Sequence, residues 1–422
     1  MTEEFLQFVW EQRLFDATGL YTISGEKVTV LETGVCNGDA GPDFFNARIR
    51  LGKTLWAGNI EIHRNSSDWY RHGHHNDSAY DNIILHVVQK HDRPVFRPNG
   101  EEIPVLELLY PSRLLENYHS LLDAGTWVPC QERFGKVDRF MWKIGLNRLM
   151  IERLQEKTGE IVDRLLQNNH NWNETFYQFL ARNFGFHTNA LPFEILARSL
   201  SSSIPGKHRD NLLQLEALFF GQSGLLHEEL LGDDYFLKLR AEYEFLAEKY
   251  HLHPMAGHLW KFLRLRPGNF PTLRIAQFAG LFHHAEGVFS LIMETPSLGE
   301  LRRLFAVVAS DYWTTHYKFN YTSKRSVKHL GDEAFENVVI NTLVPFLFVY
   351  GEQTSAPHLK DRALEWLGEL PAEKNAVISR WTALGAIPET AFESQALLQL
   401  KNRYCARKRC LECAVGTKLI IG

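Results

Sequence analysis

Gly41-Pro42-Asp43-Phe44, and further along Glu61-Ile62-His63, are the two stretches on which the reading of this chain turns. Phe44–Leu51 and Thr54–His63 are short β-rich runs, and Leu51-Gly52-Lys53 between them has the composition of a tight turn. An antiparallel hairpin brings the chain back to where it started, so Asp43 at its entrance and Glu61 near its end become neighbours. Glu61 and His63 are two apart and therefore share one face of their strand. Two carboxylates with a third polar group on one face form a place for Mg²⁺ or Mn²⁺. Such an ion holds a phosphate oxygen and polarises a water for in-line attack.

Around the hairpin, Leu6, Val9, Trp10 and Leu14 recur at helical spacing behind Thr2, which predicts a short amphipathic helix capped by Thr2. Further β-rich runs lie at Lys27–Leu31, Asn82–Gln89 and Val105–Leu109. A helix, three strands, an irregular segment and another strand give an α/β domain over residues 1–125. From Asp138 onward the periodicity is helical: segments at Asp210–Phe220, Tyr235–Tyr250, Leu273–Met293, Asp332–Leu343 and Leu359–Leu367, and a capping box at Asn171 and Glu174 stopped by Gly185. This defines a mainly α-helical region over 126–400, with room for two subdomains, and a cysteine-containing module over 401–422.

Ionisable residues crowd the α/β domain: Asp39, Asp43, Glu61, His63, Asp68, His72, His74, His75 and Asp77. Each has an ordinary structural reading, as a turn residue or a solvated side chain. Together they point to a metal or phosphodiester site, because clustered titratable groups mark function. His72 and His74 are close enough to share a zinc with Asp68 or Asp77, or to donate protons to a leaving oxygen. The first helix also offers two carboxylates, Glu4 and Glu11.

Pro42-Asp43, a strand hairpin and Glu61-Ile62-His63 resemble the signature of the PD-(D/E)XK nuclease superfamily, with His63 where lysine is usual. Ile60–His63 followed by Asp68-Trp69 and His72-Gly73-His74-His75 is similar to the mismatch endonucleases of very-short-patch repair, which belong to the same superfamily and use histidines beside the aspartate. The whole chain also resembles an uncharacterised bacterial family of unknown function. The superfamily resemblance implies a restriction-endonuclease-like fold. It implies metal-dependent phosphodiester hydrolysis of nucleic acid, DNA ahead of RNA, with Asp43, Glu61, His63 and His72 as catalytic residues and Asp43 and Glu61 on the ion. The alternative expectations are a catalytically silent protein that keeps the fold and binds nucleic acid or protein, and a metal-dependent hydrolase with another substrate.

Cys405, Cys410 and Cys413 form C-x4-C-x2-C, and the C-x2-C half lets two thiolates grip one tetrahedral ion, with Cys130 as the remote fourth ligand. Zinc, an iron–sulfur cluster of the kind some nucleases of that superfamily carry, and plain buried thiols are the three readings. Arg403, Arg407, Lys408 and Arg409 interleave these cysteines. Lys324, Arg325, Lys328 and His329 lie near Tyr317, Phe319 and Tyr321, and Arg264, Arg266 and Arg274 flank Pro267-Gly268-Asn269. Cations beside aromatics suit single-stranded or distorted nucleic acid.

The formal charge of −4 from 46 basic and 50 acidic residues provides no global field for coating nucleic acid, so binding rests on a local patch. No glycine-rich phosphate loop is present, which argues against nucleotide-driven motor activity. Met1–Phe5 does not read as a secretory signal, and the apolar run Val338–Tyr350 is short for a membrane span. A cytoplasmic protein without membrane contact is expected.

Overall fold

The computed structural model describes residues 2–97, 99–227 and 231–422. The chain is mixed α/β, with an N-terminal sheet and a mostly helical remainder, and divides into two compact units. The first comprises Met1–Gly145 with Leu400–Gly422, and the second Leu146–Gln399. The C-terminal cysteine segment thus belongs to the same unit as the sheet. It is tied there by Asn117 Nδ2 donating to the Ile420 carbonyl at 3.1 Å and Lys401 Nζ donating to the Trp127 carbonyl at 3.1 Å.

In the first unit, helix α1 (Glu3–Glu11) precedes β1 (Val28–Glu32), β2 (Val35–Cys36), β3 (Phe44–Leu51) and β4 (Thr54–Asn65). A short helix α2 (Asp68–Arg71) then leads to β5 (Ile83–Lys90), β6 (Val105–Glu107) and helix α3 (Ser112–Leu122). The sheet order is β1-β3-β4-β5-β6, with β2 also paired to β3. Pairing is antiparallel as far as β4 and parallel from β4 to β6. The hairpin turns at Gly52, whose φ of +54° suits a residue without a Cβ.

β4 is central, and every residue from Gly58 to His63 is buried. Gly58 is required there: a Cβ would lie 2.5 Å from Ile84 Cγ2 and 2.7 Å from the Asn82 carbonyl. Beside it, β3 carries an extra residue between Phe44 and Ala47, with Asn46 at φ +56° and its N–H donating to Asn59 Oδ1 at 3.3 Å. Such a bulge bends the strand and re-aims the side chains next to it. Here the neighbouring side chain is Asp43. An apolar cluster of Trp69, Tyr80, Ile83, Val88, Val95, Ile103 and Val105 fixes α2 and the following turns in the unit. Thr2 occupies the N-cap position of α1 but makes no capping bond; its side chain meets Tyr118 instead.

In the second unit, Asn171 caps Trp172–Phe184 through the Glu174 N–H at 3.0 Å. The reciprocal half of the expected capping box is not made, since the Glu174 carboxylate accepts from Ser202 instead. The segment expected at Leu273–Met293 is two helices, Pro271–His284 and Val288–Glu294, interrupted at Gly287 with φ +60°. A two-stranded ribbon, His316–Lys318 with Tyr321–Thr322, interrupts the helical pattern. The apolar run near Val338 extends further than its sequence indicates. Asp332–Gln353 is one 22-residue helix, long and apolar enough to cross a membrane by length and composition, and 78% of its apolar window is buried inside the protein. It relaxes into a π turn at Val339–Leu343, where Lys157 Nζ donates to Asn341 Oδ1 at 2.9 Å and Asn183 Nδ2 to the Asn341 carbonyl at 3.2 Å. These donors take up the Asn341 groups at the loosened turn.

Candidate metal centre

Asp43 reaches its place through the loop before β3. Asn37 Nδ2 donates to the carbonyls of Asp39 (3.1 Å), Ala40 (3.3 Å) and Pro42 (3.0 Å), and its backbone N–H to the Asp43 carbonyl at 2.8 Å. The Asp43 carboxylate then accepts from the Ile62 N–H at 2.9 Å and from Gln7 Nε2 at 2.8 Å, while the Asp43 N–H donates to Glu61 Oε2 at 3.2 Å. The hairpin thus brings Asp43 and Glu61 side by side, joined through the Asp43 N–H.

On β4, Glu61 and His63 share a face with His86 of β5, which stands in register with Glu61. His63 Nδ1 lies 2.8 Å from His86 Nε2, and His63 Nε2 lies 3.1 Å from His72 Nδ1. Glu61 Oε1 is 3.5 Å from His63 Nε2 and 3.2 Å from His74 Nε2. His74 stacks on Tyr80 with ring centres 3.8 Å apart. His72 is exposed at the rim, whereas His63 and His86 are buried.

The electrostatics follow from burial. Desolvation, and for Asp43 the neighbouring Glu61, push Asp43 up to about 7 and Glu61 up to about 8. Among the described residues no lysine or arginine is paired with either carboxylate. Burial and the surrounding imidazoles push His63 down to about 2 and His86 down to about 3, so both are neutral near pH 7. Neighbouring carboxylates largely shielded from water and without a lysine or arginine hold either a proton or a cation, so the residues present fit a divalent ion.

Other candidates lie elsewhere. Asp68 is buried, but it accepts from the Asn65 N–H at 3.1 Å and pairs with Arg71 at 3.0 Å. Asp77 caps the turn Ser78–Tyr80. The carboxylate facing the imidazoles is Glu61. His75 contacts Tyr70 and Asn76, and Asp39 sits in the exposed loop. On α1, Glu4 lies toward Tyr118 and Glu11 toward Cys36, while the carboxylate that acts on Asp43, Glu61 and His74 is Glu3.

Sequence reasoning passed over Glu3, Gln7, Tyr80 and His86. The signal for His86 was present: it is the one polar residue in the run Ile83–Val88. Glu3 and Gln7 share a helix face by their i, i+4 spacing.

Cys130, Cys405, Cys410 and Cys413 all lie in the first unit, near enough that the thiols act on one another electrostatically, but among the described residues the group whose ligand atoms stand within 4.8 Å of one another is His63, His72 and His74. Burial and these neighbours push Cys130 up to about 12 and Cys410 up to about 11, and raise Cys405 as well. None of the five cysteines is in a disulfide. Gly416 allows the helix Ala414–Ile421 to pass against the Cys410 carbonyl, 2.1 Å from where a Cβ would stand.

Two of the supposed surface cations are internal. Lys328 is buried over Tyr317 and donates to the Thr314 carbonyl at 3.1 Å. Arg274 is buried and donates to Asn269 Oδ1 at 2.7 Å and to Gln277 Oε1 at 2.9 Å. Phe319 is buried too. Arg264, Arg266, Lys324, Arg325 and Arg407 remain exposed.

No curated protein and no solved structure matches the chain. One family does, over residues 3–376, a span that includes Asp43, Glu61, His63, His72, His74, His86 and Cys130. The chain belongs to the family described as protein of unknown function, DUF2851.

Proposed function

We propose that the first unit performs metal-dependent hydrolysis of phosphodiester bonds in nucleic acid, on a fold of the PD-(D/E)XK kind. The observation that carries this reading is the placing of the half-buried Asp43 beside the buried Glu61, joined by the Asp43 N–H and without a lysine or arginine partner among the described residues. The antiparallel β3–β4 hairpin flanked by α1, followed by α2 and a strand parallel to β4, supports the fold part of the proposal. The preference for DNA over RNA rests on the sequence resemblance alone.

A divalent ion between Asp43 and Glu61 would supply charge stabilisation and an activated water. The protein's own part is positioning. Gln7 and the Ile62 N–H fix both oxygens of Asp43, and the Asp43 N–H fixes Glu61. His63, neutral and in contact with His86 through Nδ1, is suited to offer a lone pair at Nε2 to a cation or to a hydrogen-bond donor. It does not supply the positive charge that a lysine would bring. His72, at the exposed rim, is the imidazole most accessible to a substrate.

The four cysteines are proposed as a separate structural ion site, because the three C-terminal thiols and the remote Cys130 lie near enough to act on one another electrostatically. Zinc and an iron–sulfur cluster are both consistent with four thiolates.

The test of the hydrolase reading is a panel of duplex DNA, single-stranded DNA and RNA incubated with the full chain, with Mg²⁺, Mn²⁺ or Zn²⁺ and with a chelator. Cleavage in the presence of one of these ions and not with chelator is the expected result. Retention of nucleic acid with no cleavage of any substrate would replace this reading with that of a silent binding protein.

A further inference from the structure

The distances among His63, His72, His74 and Glu61 say more about the ion than the carboxylate pair does. A tetrahedral ion with nitrogen and oxygen bonds of about 2.0–2.1 Å separates its ligand atoms by roughly 3.3–3.4 Å. The separations here are 3.1 Å from His63 Nε2 to His72 Nδ1, 3.2 Å from His74 Nε2 to Glu61 Oε1, and 3.5 Å from His63 Nε2 to Glu61 Oε1. The three imidazole ligand atoms all lie within 4.8 Å of one another.

Two further features point the same way. His74 Nε2 is buried and makes no hydrogen bond, although it stands 3.2 Å from a carboxylate oxygen. A donor at that distance that is misaligned with its neighbour is what two ligands of one ion look like, since each aims at the metal and not at the other. His63 Nδ1 lies 2.8 Å from His86 Nε2, and with His63 donating in this contact its Nε2 lone pair faces His72, His74 and Glu61.

We infer that His63, His72 and His74, closed by Glu61 Oε1, form a nitrogen-rich site for a transition-metal ion of the zinc class. Glu61 then serves two neighbourhoods: Oε1 faces the imidazoles and Oε2 faces Asp43. Imidazole donors favour Zn²⁺, Co²⁺, Ni²⁺ or Fe²⁺ over Mg²⁺ and Mn²⁺, which prefer oxygen ligands. The inference adds to the proposed function an ion position adjoining the Asp43–Glu61 pair and sharing Glu61 with it; its link to hydrolysis rests on that reading, and the ion itself rests on the geometry of the four side chains.

The probe is Co²⁺ added to the metal-stripped full chain carrying Cys410→Ser, with visible absorption recorded. Any remaining cobalt on cysteine would announce itself by thiolate charge-transfer bands in the near ultraviolet. One equivalent should give the intense visible bands of a tetrahedral nitrogen and oxygen site, be displaced by Zn²⁺ and survive excess Mg²⁺. His72→Ala, at an exposed position that the fold does not depend on, should weaken binding by about a hundredfold or more, and His74→Ala should do the same with an unchanged circular dichroism spectrum. No cobalt binding, or binding that both variants leave intact, overturns the inference. Cobalt binding without cleavage of any nucleic acid would uphold this site and sink the hydrolase reading; Mg²⁺-driven cleavage without cobalt binding would do the reverse.

Discussion

The Asp43 N–H donates to Glu61 Oε2 at 3.2 Å, while the Asp43 carboxylate accepts from the Ile62 N–H at 2.9 Å. Each carboxylate is thus fixed by the backbone at or beside the other, and neither can move without disturbing its neighbour. The β3 bulge at Asn46 and the turn held by Asn37 deliver Asp43 to this position.

Metal binding should depend on pH through these two groups. Their folded pKa values, about 7 and about 8, lie above the ordinary carboxylate values of 3.8 and 4.5. The stability they contribute in the metal-free protein is therefore fully present below about pH 4 and is lost as pH rises through 7 to 8. His63 and His86 work in the opposite sense: held neutral with folded values near 2 and 3, they cost stability as pH falls below 6.5. Thermal unfolding of chelator-treated protein should decline between pH 6 and 9, and a bound divalent ion should remove that decline. Identical profiles with and without the ion would contradict this.

Replacing His63 separates its roles. His63→Ala should lose most of the hydrolytic activity. His63→Lys should keep part of it and shift the rise of activity with pH toward acid, because a cation beside Asp43 and Glu61 lowers both carboxylates. The pH–rate profiles of the two variants and the native chain decide the matter. A His63→Ala variant with the native rate and profile would assign His63 a packing role only.

Gly58→Ala should destabilise the first unit. The added Cβ would meet Ile84 Cγ2 at 2.5 Å and the Asn82 carbonyl at 2.7 Å, and overpacking of this kind costs about 1–3 kcal/mol. Denaturant unfolding measures it. Since β4 and β5 carry Glu61, His63 and His86, metal affinity should fall with stability.

Much of this was legible in the sequence. The β-rich runs Phe44–Leu51 and Thr54–His63 on either side of Gly52 placed the hairpin, and the hairpin brings Asp43 beside Glu61. What these runs did not carry was the parallel pairing of β4 with β5. That pairing depends on a crossover through α2 and alone explains why His86 joins His63. Nor does local sequence reveal which helix carboxylate faces inward, because the choice of Glu3 over Glu4 or Glu11 is made by how α1 packs on β4. The internal burial of Lys328 and Arg274 was missed for a related reason: a run of cations reads as solvated until the aromatic ring or amide that covers each one is placed.

The cysteine site makes its own prediction. Elemental analysis of protein purified without added metal should find near-stoichiometric zinc or iron beyond any held by the histidines, and Cys410→Ser should lose it and lower the melting temperature of the first unit. The raised thiol pKa values mean that binding releases protons, so affinity should increase with pH. Full folding without metal, unchanged by Cys410→Ser, would leave these residues as buried thiols.

The central claim is that Glu61 anchors a catalytic ion, and Glu61→Gln tests it most directly because the amide keeps the shape and removes the charge. With substrate and activating ion chosen from the panel above, the native chain should cleave and Glu61→Gln should fall by more than about a hundredfold, with an unchanged circular dichroism spectrum. Cleavage by Glu61→Gln at the native rate would place the activity at another site and contradict the account.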